Sequence, residues 1–345
     1  MANQDKILMS HGSGGSMMSE LIEEEFLNSY VDKSLYIGSD GQELPVLENV
    51  SIDVKKGTCL GIAGESGSGK SVMCMSMVGL LPKSSIKKQS GQVLFDGKDL
   101  LALSEKEMNS IRGKKIGFVF QEPMTAMNPL MKLSEQIGET LYAHINGISK
   151  EEVKERTIKA LLRAGFKEPE KFLDSYPHQL SGGMRQRAMI AMALVMEPEL
   201  IIADEPTTAI DAELQIQLLT ELRKLIKEQN LTMIFISHDL GVLRTISDEI
   251  AVLYCGNLVE KGPSDEVINS PKHPYTKDII SALPRLVQER KLPVPISGTL
   301  PFPDKKPQGC VYSDRCRLCE EKCRNERPAL AIADSEHVVS CWLVK

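Results

Sequence analysis

Two short stretches of this chain carry residue types that act on phosphates. "GESGSGKS" at 64 to 71 follows the apolar run "CLGIA" and leads into "VMCMSMVGLL". A phosphate cradle needs glycines so that backbone N–H groups can turn inward, a lysine for the terminal phosphates and a hydroxyl for Mg²⁺. Gly64, Gly67, Gly69, Lys70 and Ser71 supply these at the expected mouth of a helix, whose dipole favours anions. "LIIADEPT" at 200 to 207 ends an apolar run in two carboxylates. At the end of a buried strand, Asp204 would hold Mg²⁺ or its water, and Glu205 could take the proton from an attacking water. A third stretch, "LSGGMRQRAMIAMAL" from Leu180, puts Ser181, Gly182 and Gly183 at a helix start as a second phosphate-type turn. One nucleotide needs one cradle, so the simplest use of the second is a nucleotide held by another subunit.

A further group crowds the C-terminal end. Cys310, Cys316, Cys319, Cys323 and Cys341 lie in the last 36 positions, whereas Cys59, Cys74 and Cys255 are scattered in apolar contexts. Three or four thiolates drawn together can bind Zn²⁺ tetrahedrally or hold an iron–sulfur cluster, and spacing alone does not choose between them.

Elements must position these groups. From about Ser34 to Phe120 short β-type runs such as "CLGIAG", "QVLFDG" and "IGFVFQ" alternate with turn signals, and one helix opens at Lys70. Residues 132 to 180 carry polar helical stretches, "SKEEVKERTIKALLRAGF" being the clearest, before β-runs return at "LIIADEP" and "TMIFISHD". The reading is an α/β fold in which a helical insertion splits a parallel-sheet core. Beyond about residue 263 prolines become frequent, which predicts a loosely structured tail that the cysteines staple.

Length and composition set the limits. A chain of 345 residues has room for two or three compact units. Hydrophobic residues at 42% and charged residues at 26% describe a globular protein and argue against disorder. The longest strongly apolar run, "AMIAMALVM", has nine residues, against the roughly 20 that cross a bilayer. No basic segment followed by an apolar core opens the chain, so a cytoplasmic location is expected. A net charge of −6 gives no general attraction for a phosphate backbone, and no nucleic-acid partner is expected.

The first two stretches alone describe a P-loop NTPase, and "LSGGMRQR" narrows the resemblance to the ATP-binding-cassette ATPases. That resemblance implies a RecA-like α/β core with an antiparallel β subdomain, a helical subdomain at about 122–185, and ATP with Mg²⁺ as ligands. It places ATP against Tyr36 and the loop residues Gly64, Glu65, Ser66, Gly67, Ser68, Gly69, Lys70, Ser71 and Val72. Ser71, Gln121 and Asp204 would hold Mg²⁺, with Glu205, His238, Gln121 and Lys70 as the catalytic set. Leu180, Ser181, Gly182, Gly183 and Gln186 would complete the site of an opposite cassette, and Asp211 would touch that partner.

After residue 270, "SPKHPYTKDIISALP", "ISGTLPFPDKKPQGCVYSDRC" and "CRNERPAL" resemble the C-terminal extension of oligopeptide, dipeptide and nickel importer ATPases. The expected organisation is an appendage at 1–33, a cassette at 34–262 and this extension at 263–345. The resemblance implies a [4Fe–4S] cluster, favoured over Zn²⁺, on Cys310, Cys316, Cys323 and Cys341, with Cys319 an extra thiol. It also implies peptide cargo ahead of nickel, a second and non-identical ATPase subunit, two transmembrane permease subunits, an extracytoplasmic substrate-binding protein, and a peripheral position on the cytoplasmic face of the membrane. Residues 6–30, "KILMSHGSGGSMMSELIEEEFLNSY", instead resemble the start of a hydrogenase maturation carbamoyl-dehydratase, and His11 there is read as solvated rather than metal-bound.

Overall fold

The computed structural model describes residues 29–38, 43–208, 210–282, 295–334 and 336–344. The expected appendage, the dehydratase-like stretch and His11 therefore lie almost wholly outside the described residues. The first described strand, β1 (Ser29–Ile37), begins ahead of the expected cassette start at residue 34.

Strands β1, β2 (Leu44–Val54), β4 (Ile86–Phe95) and β5 (Lys98–Asp99) form an antiparallel sheet in the order β2-β1-β4-β5. Between β2 and β4 the chain passes through β3 (Cys59–Ala63) and helix α1 (Lys70–Met77). After α2 (Glu105–Ile111), strand β6 (Ile116–Val119) enters a second sheet.

The chain then becomes helical: α3 (Pro123–Ala126), α4 (Leu133–His144), α5 (Lys150–Arg163) and α6 (Gly182–Leu194) precede β7 (Leu200–Asp204). In α5 the buried positions Val153, Thr157, Ala160 and Leu161 fall at helical spacing, and the Ser149 hydroxyl caps the start by accepting from Glu152 N at 3.1 Å. Helix α7 (Ala212–Gln229), strand β8 (Thr232–Ile236), helix α8 (Leu240–Ile246) and strands β9 (Glu249–Tyr254) and β10 (Asn257–Pro263) follow.

With β11 (Ala331–Asp334) and β12 (His337–Val339) from the C-terminal end, the second sheet has the order β11-β12-β10-β9-β3-β8-β7-β6 and is parallel from β9 to β6. Every residue of β3, β7 and β8 is buried. A parallel strand covered on both faces needs a continuous apolar run rather than an alternating one, which is how "CLGIA", "LIIAD" and "TMIFI" read.

The described residues beyond 263 are not loosely structured, contrary to the expectation from the prolines of this tail. Helices α9 (Ser264–Asn269) and α10 (Pro274–Ser281) pack first, and α11 (Glu321–Asn325), β11 (Ala331–Asp334) and β12 (His337–Val339) follow. Strand β12 pairs with β10 and so joins the main sheet. Two interactions explain the order. Tyr254, Tyr275 and Tyr312 form a fully buried aromatic cluster with ring centroids 4.5 to 5.2 Å apart. Buried Glu260 accepts from the N–H groups of Lys272 (2.7 Å) and His273 (3.0 Å) and meets His337 Nε2 at 2.7 Å. The prolines punctuate the segment, and the cassette supplies the core it lacks.

Candidate nucleotide site

The residues expected to bind phosphate sit at the C-terminal edge of the parallel strands, where open α/β sheets bind ligands. β3 delivers the glycine loop, β6 leads to Gln121, β7 ends in Asp204 and Glu205, and β8 leads to His238. Four strands of one sheet thus bring together residues that are up to 174 positions apart (238 − 64).

The loop needs its glycines. Gly64 (φ 149°) runs so close to the Leu253 carbonyl that a Cβ would collide with it, and Gly69 (φ 100°) turns into α1 in the left-handed region. Lys70 lies inside the curl, its ammonium donating to the carbonyls of Gly64 (2.7 Å) and Glu65 (2.9 Å). Burial lowers its pKa, while Glu205, Asp204 and Glu65 oppose that shift. Ser71 Oγ donates to Asp204 Oδ1 at 3.0 Å, so the expected hydroxyl and carboxylate are adjacent. Burial raises the Asp204 pKa and Glu205 adds to it, against the Ser71 hydrogen bond and Lys70. A buried carboxylate beside a hydroxyl and a second acid is a donor set that suits a hard divalent cation such as Mg²⁺.

Glu205 is held from three sides. Its Oε2 accepts from Gln121 Nε2 (3.3 Å) and from Thr208 Oγ1 (3.1 Å), and His238 Nδ1 lies 3.1 Å away. Its backbone has φ 46°, a costly conformation for a residue with a side chain, and its N–H donates to the Ile236 carbonyl at 3.1 Å. Three of the four expected catalytic residues therefore meet at one carboxylate oxygen, and the fourth, Lys70, couples electrostatically to it. Thr208 was not anticipated, although it stands three residues from Glu205 in "DEPTT".

The remaining expected residues lie apart. Tyr36 is half-buried on β1 opposite Pro45 and Lys88, with the Lys88 ammonium 5.5 Å from its ring centroid. Ser181 and Gly182 are exposed at the start of α6, where Ser181 Oγ accepts from Met184 N at 3.3 Å. Leu180 and Gln186, also expected at a partner's site, are both buried within this chain, Gln186 at 1% exposure. One turn into α6 the helix packs against its own chain, so residue 186 faces inward. Asp211 caps α7, accepting from Leu214 N at 3.0 Å.

The cysteines converge without forming a ready ligand set. Cys310, Cys316, Cys323 and Cys341 line one pocket with His273, Tyr312 and Trp342. Burial pushes the Cys310 thiol up to about 11, with the neighbouring Cys323, Cys341 and Cys316 adding to the shift, and burial likewise raises Cys316 and Cys341. Among the described residues no three His, Cys, Asp or Glu side chains are placed to hold a metal ion, so nothing in the structure supports the [4Fe–4S] cluster, or the Zn²⁺ alternative, expected on Cys310, Cys316, Cys323 and Cys341. A single Zn²⁺ needs four donors at about 2.0–2.3 Å from one point, and the described side chains as placed do not provide them.

Comparison with known proteins turns this geometry into a family. The ABC transporter profile matches residues 47–208, spanning the glycine loop and both acids. The dipeptide transport ATP-binding protein DppD of Bacillus subtilis is 42% identical over 303 residues, covering 88% of this chain and 90% of that protein. The chain belongs to the ABC transporter ATP-binding proteins. As an ABC ATPase it hydrolyses ATP, and Mg²⁺ is the expected companion ion. A second profile, the oligopeptide/dipeptide transporter C-terminal region, matches residues 259–323 of this ABC ATPase. The oligopeptide transport ATP-binding protein OppD of Bacillus subtilis is 42% identical over 315 residues, 91% of this chain and 87% of its own. The dimeric structure of a bacterial ABC transporter cassette superposes with a TM-score of 0.62 at 30% identity, covering 68% of this chain and 98% of that one. No helix among the described residues is long and apolar enough to cross a membrane.

Proposed function

We propose that this ABC ATPase powers the uptake of dipeptides or longer oligopeptides across the cytoplasmic membrane. The observation that carries the reading is the pairing, in one chain, of an ATP-binding cassette with the oligopeptide/dipeptide transporter C-terminal region. Relatives named for dipeptide and oligopeptide transport, matched over most of their length, support it. The chain works from the cytoplasmic face, bound to two transmembrane permease subunits, with a substrate-binding protein on the outer side. The exposed Ser181 and Gly182 complete the ATP site of a second, non-identical ATPase subunit, and that subunit's equivalent turn completes this one.

Within the site the roles follow from position. Lys70 and the loop N–H groups bind the phosphates. Ser71 and Asp204 hold Mg²⁺, which when bound offsets phosphate charge and orients the terminal group. Glu205 accepts the proton of the attacking water, and Gln121 and His238, both against its Oε2, align the carboxylate and sense the terminal phosphate. Deleting the gene and measuring uptake of labelled dipeptide and of nickel ion tests the cargo. Loss of dipeptide uptake is expected; loss of nickel uptake alone would overturn the peptide assignment.

From the resemblance of the extension we also propose that Cys310, Cys316, Cys323 and Cys341 take up a [4Fe–4S] cluster, their side chains moving into ligand positions when it is inserted. Four thiols around one cavity support it, since a cluster spreads its ligands over several irons whereas zinc gathers them at one point. Anaerobic purification followed by iron, sulfide and zinc analysis is expected to find iron and sulfide. A colourless protein with stoichiometric zinc would reverse the choice.

A further inference from the structure

The C-terminal extension reaches the phosphate loop, and it does so at one residue. Glu65, second in the glycine loop, is engaged through all of its polar groups. Its carbonyl accepts from Lys70 Nζ at 2.9 Å, and its N–H donates to the Tyr275 hydroxyl at 2.9 Å. Its carboxylate takes a two-pronged contact from Arg315, with one guanidinium nitrogen 2.6 Å from Oε2 and the other 3.1 Å from Oε1. Arg315 is buried, donates its Nε–H to the Ser297 carbonyl at 2.8 Å, and lies 5.7 and 5.9 Å from the ring centroids of Tyr254 and Tyr312. Leu300, also from the extension, stands beside Gly67. The segment that carries Arg315 is the one that builds the cysteine pocket: Cys316 N donates to the Tyr312 carbonyl at 3.0 Å.

We propose that Arg315 is a positioning residue for the phosphate loop, so that ATP affinity depends on the extension being docked. Two physical effects follow from the geometry. A glycine-rich loop has many backbone conformations to lose on binding, and fixing Glu65 at both its backbone and its side chain removes part of that loss in advance. Arg315 also neutralises the one carboxylate within the loop, which would otherwise repel the phosphates. The inference rests on the loop being the ATP site and is independent of the cargo and of what fills the cysteine pocket.

The test uses the full chain, with ATP affinity read by titration of a fluorescent nucleotide, steady-state hydrolysis, and thermal unfolding as a fold control. Arg315→Met, which keeps the packing length and loses the charge, is expected to weaken ATP binding by about tenfold or more, with the larger change in KM than in kcat. Adding Glu65→Gln to Arg315→Met is expected to restore part of the affinity, because the unpaired carboxylate is then gone. Arg317→Met, an exposed arginine two residues on, is expected to bind ATP as the unaltered chain does. Should Arg315→Met lose cooperative unfolding, Arg315→Lys carries the test, since it keeps a charge but not the two-pronged contact, and at least about threefold weaker binding is expected. Unchanged affinity in a folded Arg315→Met or Arg315→Lys, or equal weakening in Arg317→Met, would overturn the proposal.

Discussion

At the residue scale the site is an arrangement of charges that only a buried sheet edge can hold together. Asp204 and Glu205 are consecutive acids, and burial lifts the first while Lys70 offsets part of the cost. Glu205 accepts two hydrogen bonds at one oxygen and lies beside His238, which fixes the direction of the carboxylate before any water arrives. The glycine loop and the acid pair were legible in the sequence because each is local: residue type, spacing and flanking elements stand side by side. Arg315 was illegible because its partner lies 250 positions away and nothing in "YSDRCRLC" marks an arginine that points at a phosphate loop. The burial of Gln186 was not legible because a motif fixes where a residue sits on a helix and leaves open which side of that helix the core will take.

At the element scale the extension is the part whose stability can be tuned by pH. His273 is buried, and burial pushes its pKa down to about 4 from 6.5, against the pull of Glu260. Burial works against the Glu260 carboxylate too, yet hydrogen bonds from His337, Lys272 and His273 leave it below its ordinary value. Both shifts act in one direction. Between about pH 6.5 and 4 the unfolded chain gains a proton at residue 273 that the folded chain refuses, and Glu260 loses its contribution as pH falls through its own depressed pKa. Lowering the pH from 7 to 5 is therefore expected to remove on the order of 2 kcal/mol of stability, read as a lower denaturant midpoint, with a shallower dependence in His273→Gln. A midpoint that holds or rises over that range would contradict the buried neutral histidine. The strands β3, β7 and β8 were readable as apolar runs. The extension was recognised by resemblance, but its order was not legible, because proline content reports on local turns while that order comes from tyrosines and a Glu–His pair packed across the cassette.

At the scale of the whole molecule the proposed reading gives the chain half of two sites. In that reading its glycine loop, acids and histidine form one half, and Ser181 and Gly182, exposed at the start of α6, supply the complementary half of another. On the proposed function, ATP closes the two cassettes, the permeases convert that closure into uptake, and hydrolysis at Glu205 reopens them. This makes Glu205 the point at which chemistry and transport are coupled. The most direct measurement is uptake of labelled dipeptide into vesicles that hold the assembled transporter and its binding protein, with ATP supplied on the cytoplasmic side, comparing the natural chain with Glu205→Gln. The account predicts that Glu205→Gln still binds ATP while hydrolysis and accumulation of peptide both fall by about two orders of magnitude or more. Undiminished ATP-driven accumulation with Glu205→Gln would contradict it.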